Sequence, residues 1–128
     1  MYKEVMIMRV DGAETPTGLM ANAATPYRYK QIFGEDLLTK FANAQGQMEG
    51  KAIYEIGFIP ELAFIMALQA EKDPAKIDKT KKADFYTWIE QFESFAFENA
   101  AEDIINVYVG NLSGSSEAKK NSAQQKEK

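Results

Sequence analysis

Two pairs of adjacent carboxylates come nearest to a catalytic or metal-binding pattern in this chain. They are Glu35 with Asp36 and Glu102 with Asp103. Carboxylate oxygens suit hard divalent cations, and a positioned pair can also act as general acid and base. Acidic residues are equally typical of a helix N-terminus, where they complement the helix dipole. We interpret both pairs in this second way, as dipole partners and solvated helix surface. A carboxylate–metal enzyme stays as a remote alternative.

The residue types used most often in nucleophilic and acid–base catalysis are missing from the sequence. It contains no cysteine and no histidine, so it offers no thiolate, no imidazole and no disulfide. The serines lie at Ser94 and close to the C-terminus, where nothing fixes a geometry. The glycines do not form a phosphate-binding loop. We therefore expect no enzyme activity, no catalytic residue, no metal and no cofactor, and interpret the chain as an interaction protein.

The charge and hydropathy of the chain indicate protein partners. The formal charge of −4 disfavours attraction to a nucleic-acid backbone. The run Tyr27-Arg28-Tyr29-Lys30 alternates aromatic and basic groups, a pattern that suits the binding of single-stranded nucleic acid. Tyr29, however, is needed on an apolar helix face. No apolar run is long enough to span a membrane, and the first residues do not form a signal peptide. We expect no nucleic acid, no membrane and a cytoplasmic location.

One stretch of the chain, Thr25 to Phe41, predicts a helix, a glycine joint and a second helix. Thr25 and Pro26 suit a helix start, with the threonine as cap. Gly34 suits the left-handed residue that ends a helix. The apolar residues of the two helices recur at helical spacing and form a hydrophobic corner: Tyr29, Ile32, Phe33, Leu37, Leu38 and Phe41.

The other segments predict a mainly α (α+β) fold, a small helical bundle with an N-terminal β-hairpin. The hairpin strands are Tyr2 to Val10 and Leu19 to Ala23. A helix from Pro60 is apolar on nearly all sides and predicts a central buried helix, and its alanines leave a narrow side that lets another helix approach. We predict a loop over residues 43–50, a short helix or a strand over residues 51–57, and a solvated loop over residues 73–82. A helix then begins at Asp84 and carries the apolar residues Phe85, Trp88, Ile89 and Phe92. The last helix is predicted over residues 98–112.

The composition changes after Leu112. Ser, Gly, Lys, Gln and Glu dominate from there, and such a segment buries too little apolar surface to offset its ordering entropy. We therefore expect a helical domain with its N-terminal hairpin over residues 1–112 and a disordered polar tail over residues 113–128.

Five residues are predicted as partner contacts. Tyr27 and Arg28 are expected to face outward beside the core positions of the first helix. Lys79, Lys81 and Lys82 belong to a lysine-rich stretch that we interpret first as a solvated loop and, as the alternative, as a small basic patch for an acidic partner. The Phe85, Trp88 and Phe92 stripe is interpreted as core and not as a ligand groove.

The first helical corner also carries a resemblance to a known family. Arg28-Tyr29-Lys30-Gln31-Ile32-Phe33-Gly34-Glu35-Asp36-Leu37-Leu38 resembles the Arg-Tyr-basic-x-x-Phe-Gly-x-Asp-Leu-Leu motif of tail assembly chaperones. These proteins come from long-tailed (siphovirus) phages and prophages of Gram-positive bacteria. The strand-like start ending in Asp11-Gly12, the helix Leu62 to Ala70 and the Phe85 to Phe92 stripe match in the same order. The resemblance covers about residues 3–112 and carries over no catalytic residue.

The resemblance implies a protein made in the infected cell and absent from the mature virion. Such chaperones bind the tape-measure protein and keep it soluble until tail tube protein polymerises around it. They are made in a short form and in a longer, frameshifted form, so the implied partners are the tape measure, the long form, the tube protein and further copies of the chain. Long apolar helices would aggregate alone, and a domain with apolar grooves can cover them.

A second interpretation is a structural tail or connector subunit that assembles through the hairpin edge. A chaperone should be missing from purified particles, whereas a structural subunit should be present in many copies.

The implied frameshift gives a prediction about the gene. Lys119-Lys120-Asn121 can be encoded by a slippery run of adenines that ends in an asparagine codon. We predict that the backward shift of one base occurs there, and sequencing the gene checks it. Codons that cannot re-pair after such a slip would exclude this position.

Overall fold

A computed structural model describes residues 1–42 and 58–120, with side chains described as far as residue 110. The expected class, a mainly helical fold with an N-terminal antiparallel hairpin, is confirmed. The loop predicted for residues 43–50 and the ambiguous segment 51–57 lie outside the described residues. The elements in chain order are β1 (Tyr2–Val5), β2 (Thr17–Met20), α1 (Thr25–Phe33), α2 (residues 37–42), α3 (Phe58–Ala70), α4 (Pro74–Lys79), α5 (Lys82–Ile89) and α6 (Ala96–Lys120).

Helix α3 lies at the centre of the core, as its apolar composition predicts. It contacts β2, α1, α4, α5 and α6, and residues on all its sides are buried. The predicted start at Pro60 is wrong by two residues, because the helix already includes Phe58. The buried residues are Phe58, Ile59, Leu62, Ala63, Phe64, Ile65, Met66, Leu68 and Gln69.

The hairpin covers one side of this helix. β1 and β2 pair antiparallel, with Tyr2 opposite Met20 and Val5 opposite Thr17. Since strand side chains alternate between faces, Val5 and Leu19 are buried whereas Tyr2 is exposed. The predicted second strand, Leu19 to Ala23, begins two residues earlier and ends at Met20.

The predicted first strand, Tyr2 to Val10, is divided into two pairings. β1 ends at Val5, and Arg9 then forms an isolated antiparallel bridge with Phe92. Backbone hydrogen bonds from Val10 N to Gln91 O and from Glu93 N to Met8 O flank the bridge, each 3.0 Å long. The guanidinium carbon of Arg9 lies 5.0 Å from the centre of the Phe92 ring, within cation–π range.

The corner between α1 and α2 forms as predicted. Gly34 ends α1 with φ of 77°, and its N–H donates to Lys30 O. Asp36 caps α2, because its carboxylate accepts a hydrogen bond from Leu38 N at 3.2 Å. The predicted cap at Thr25 is wrong because Thr25 is the first residue of the helix. Its hydroxyl faces inward and accepts from Asn22 N at 3.0 Å.

The lysine-rich stretch contains a helix where a solvated loop was predicted. Asp73 caps α4 by accepting from Lys76 N, and Ile77 buries its side chain. The next helix, α5, begins at Lys82 and not at Asp84. Asp84 occupies its first turn and accepts from Lys81 N at 2.8 Å.

Two boundaries of the C-terminal half differ from the predictions. α5 ends at Ile89, so Phe92 is not part of that helix. The Phe92 backbone bridges Arg9, and its buried ring packs against Trp88 and Phe97. α6 extends from Ala96 to Lys120, whereas the last helix was predicted over residues 98–112. Residues 121–128 of the predicted tail lie outside the described residues.

The aromatic core supplies a stability prediction. Phe33 is 8% exposed and its ring contacts Phe64 and Phe85 edge to face at 6.4 and 5.3 Å. Phe33→Ala should lower the free energy of unfolding by about 3–5 kcal/mol through the cavity it leaves. Phe95→Ala, at a residue that is 69% exposed, should change it by less than about 0.5 kcal/mol. Chemical denaturation measures both, and equal losses would contradict the assigned core.

Candidate partner-binding groove

An open groove lies where α3, α4 and α5 meet. Its volume is about 660 Å³, which places it in the size range of ligand-binding clefts. All three helices contribute residues to it. We call it the α3–α5 groove and define it by six of the residues that line it: Phe64, Ala67, Leu68, Lys79, Thr87 and Trp88.

The floor of the α3–α5 groove is apolar. Phe64 and Leu68 are buried beneath it, and Trp88 is partly exposed at its side. The indole centre lies 5.3 Å from that of Phe64, so the ring is held by the core and presents its remaining surface to solvent. Ala67 is partly exposed and carries only a methyl group. This small residue lets a helix backbone approach α3, as the predicted narrow alanine side suggested.

The rim of the groove is charged, and most of its charges have partners within the chain. Lys76 forms an ion pair with Glu71, 2.6 Å between Nζ and Oε1, and this bond raises the pKa of Lys76. Asp73 caps α4, and Asp84 accepts from the backbone at the start of α5. Asp73 and Asp84 keep their negative charge in these bonds, and the Lys79 side chain has no hydrogen-bond or ion-pair partner among the described residues.

The five predicted contact residues do not form one surface. Lys79 lines the α3–α5 groove, and Lys81 and Lys82 follow it as exposed residues at the start of α5. Tyr27 is 76% exposed and lines a smaller hollow of about 450 Å³ on the outer side of the α1–α2 corner, together with Leu38.

The outward orientation predicted for Arg28 holds only in part. Arg28 is partly buried, and its Nη1 donates to Gln69 Oε1 at 3.2 Å. Gln69 is itself buried and donates to Met20 O at 2.8 Å and to Thr25 Oγ1 at 2.9 Å. Arg28 therefore completes a hydrogen-bond network between α1, β2 and α3, which is a structural role.

Sequence reasoning missed the groove residues on α3 and α5. Trp88 was interpreted as core, and in the structure it is shared between the core and the groove. Thr87 and Ala75 gave no sequence signal because both are small, exposed residues. The position of Ala67 on the alanine side of α3 was the one available indication.

The two carboxylate pairs lie at the start of α2 and on the exposed surface of α6. Asp36 caps α2, and Glu35 forms an ion pair with Lys40 at 2.5 Å. Glu102 and Asp103 are exposed on α6. Within residues 1–42 and 58–110, whose side chains are described, no three acidic side chains come together in a way that could hold a metal ion.

Comparisons with known proteins add no relative: no family model, no curated protein and no solved structure matches the chain. Among the described helices, none is both long enough and apolar enough to cross a bilayer.

The buried tyrosine of the motif gives a pH prediction. Tyr29 is fully buried and donates to Glu61 Oε1 at 2.7 Å. Burial, with the Glu61 hydrogen bond and charge adding to it, raises the pKa of Tyr29. The contribution of this hydroxyl is fully present below the unfolded pKa of about 10 and is lost as the pH rises above it, because the unfolded chain then releases the proton more readily.

Tyr29→Phe should cost about 1–3 kcal/mol at pH 7, and the deficit relative to wild type should narrow between about pH 9 and pH 11. Tyr27→Phe, at the neighbouring exposed tyrosine, should leave stability unchanged. Urea denaturation across this pH range measures the effect. A constant difference between wild type and Tyr29→Phe would show that the Tyr29 proton is not linked to folding.

Proposed function

We propose that this chain is a tail assembly chaperone of a long-tailed phage or prophage of Gram-positive bacteria, and that it binds and solubilises the tape-measure protein. It would act in the host cytoplasm during tail morphogenesis and be absent from the mature virion. It would be the short form of a frameshifted pair, with the long form, the tail tube protein and further copies of itself as additional partners.

The observation that carries this proposal is the α3–α5 groove. It has an apolar floor formed by Phe64 and Leu68, a partly exposed indole and a small residue where a helix backbone can approach. Such surfaces receive the apolar face of an amphipathic helix. A long tape measure consists of such helices, and covering their apolar stripes one by one keeps them from aggregating.

The motif supports the proposal through its structural roles. Tyr29, Phe33 and Leu37 are buried, and Gly34 has the positive φ that the corner requires. These residues fix α1 and α2 against the core. Leu38, the last residue of the motif, is 57% exposed and so contributes little to folding, which fits a role at the surface.

The C-terminal helix is relevant to the longer form. Lys119 and Lys120 are the last two residues of α6, and Asn121 lies outside the described residues. In a frameshifted product the added domain would therefore continue from the end of a helix. Each helical residue between the bundle and the added domain would increase the distance between them by about 1.5 Å.

Co-expression with the tape measure tests the proposal, with a variant that fills the groove. Thr87→Trp places a large ring in the α3–α5 groove from an exposed position on α5. Thr15→Trp adds the same ring at an exposed position between β1 and β2. Wild type and Thr15→Trp should keep most of the tape measure in the soluble fraction, and Thr87→Trp should lose this effect while staying folded by circular dichroism.

The proposal fails if the tape measure precipitates equally with and without the chain. If Thr87→Trp solubilises it as well as wild type does, the binding surface is not the groove.

A structural tail or connector subunit is a second candidate, favoured by the segment that follows β1. Met6, Met8 and Val10 are each more than half exposed in this segment, and exposed apolar side chains of this kind can contact other subunits. Mass spectrometry of purified particles separates the two candidates, because only a structural subunit should be present there in stoichiometric amount.

A further inference from the structure

We propose that Met6 and Met8 form a methionine oxidation site, at which a peroxide converts both thioethers to sulfoxides while the chain stays folded. The site lies in the segment that follows β1 and shares no residue with the α3–α5 groove. The inference goes beyond the proposed function and does not depend on it. Its consequence is that an apolar strip of the surface becomes polar.

The two methionine side chains are placed on the surface by an alternation that continues past the end of β1. Met6 is 52% and Met8 57% exposed, whereas Val5 and Ile7 are buried. This alternation is that of an extended chain, in which residues two positions apart point to the same side. Both side chains are therefore open to a small oxidant from one side, which they share with the exposed Val10.

The fold of this segment is held by contacts that do not involve the two thioethers. Met8 O accepts a hydrogen bond from Glu93 N at 3.0 Å, and the side chain of Ile7 is fully buried. Oxidation of the neighbouring sulfur atoms changes neither of these contacts. Surface changes away from structural contacts have little effect on stability, so the oxidised chain keeps its fold.

Met66 is the matching buried methionine. It is a fully buried residue of α3, the central helix of the core. A peroxide reaches its sulfur only when the core opens locally, and a polar sulfoxide there would disrupt the packing. The exposed pair and Met66 therefore differ in reaction rate for as long as the chain is folded.

The reaction is a two-electron oxidation, for which hydrogen peroxide is the simplest oxidant. A sulfur lone pair attacks one peroxide oxygen, an S–O bond forms and the O–O bond breaks. Sulfur is oxidised and the peroxide is reduced. The second oxygen leaves as hydroxide and takes the proton of the first, which gives water and the neutral sulfoxide. The product is polar and is reduced again by methionine sulfoxide reductases, so the change of the surface is reversible.

Peptide mapping by mass spectrometry, after treatment of the full chain with dilute hydrogen peroxide, tests the site. Met6 and Met8 should each gain one oxygen at least about ten-fold faster than Met66, because an opening that costs about 1.4 kcal/mol already slows a reaction by this factor. In concentrated urea the three rates should become equal. The chain oxidised at Met6 and Met8 should keep its circular dichroism spectrum and its urea midpoint. Equal rates in the folded chain, or unfolding once the pair is oxidised, would overturn the inference.

Hydrophobic interaction chromatography measures the change of the surface, with two double variants as controls. Met6→Leu with Met8→Leu keeps the apolar strip and removes the reactive sulfur atoms, and Met6→Gln with Met8→Gln makes it polar without oxidation. Peroxide should shorten the retention of wild type, the leucine variant should keep most of its retention, and the glutamine variant should elute early untreated. Met1 is also exposed and accounts for any small residual shift. A leucine variant that loses as much retention as wild type would contradict the assigned site.

Discussion

The architecture depends on the burial of one helix, α3, and on the single polar side chain that is buried with its apolar ones. An unpaired buried amide would cost about 1–3 kcal/mol. Gln69 avoids that cost by donating to Met20 O and Thr25 Oγ1 and accepting from Arg28. These three bonds fix α3 against both β2 and α1. The hairpin, which would be marginal alone, thereby gains a defined position on the helical core.

The groove follows from how the remaining sides of α3 are covered. The hairpin, α1 and α6 cover most of the helix, while the short α4 and α5 leave part of its surface open at Ala67. The aromatic contacts of Phe64 with Phe85 and Trp88, at 5.5 and 5.3 Å, hold α5 in place. The groove walls are therefore held by the core, and a bound helix would need little rearrangement of the chain.

Local signals in the sequence predicted the helices and strands better than they predicted how these elements pack against one another. Gly34 and the apolar composition of α3 identify the corner and the central helix, because glycine conformation and helical periodicity are local properties. Phe92 shows the limit: its spacing continues α5, but the helix ends at Ile89 and the backbone of Phe92 instead bridges Arg9, far away in the chain. Asp73 and Pro74 suit a helix start, yet the lysine-rich stretch was interpreted as a loop. The groove could not be predicted, since it arises from the relative placement of three helices.

The central claim is that the partner binds at the α3–α5 groove, and amide NMR shifts of the isotope-labelled chain test it most directly. Spectra would be compared with and without a soluble segment of the tape measure. We expect the largest shifts at Ala67, Lys79 and the Trp88 indole, with small shifts on the hairpin. Shifts confined to Met6 and Val10 in the exposed segment that follows β1, or no shifts at all, would contradict binding at the groove.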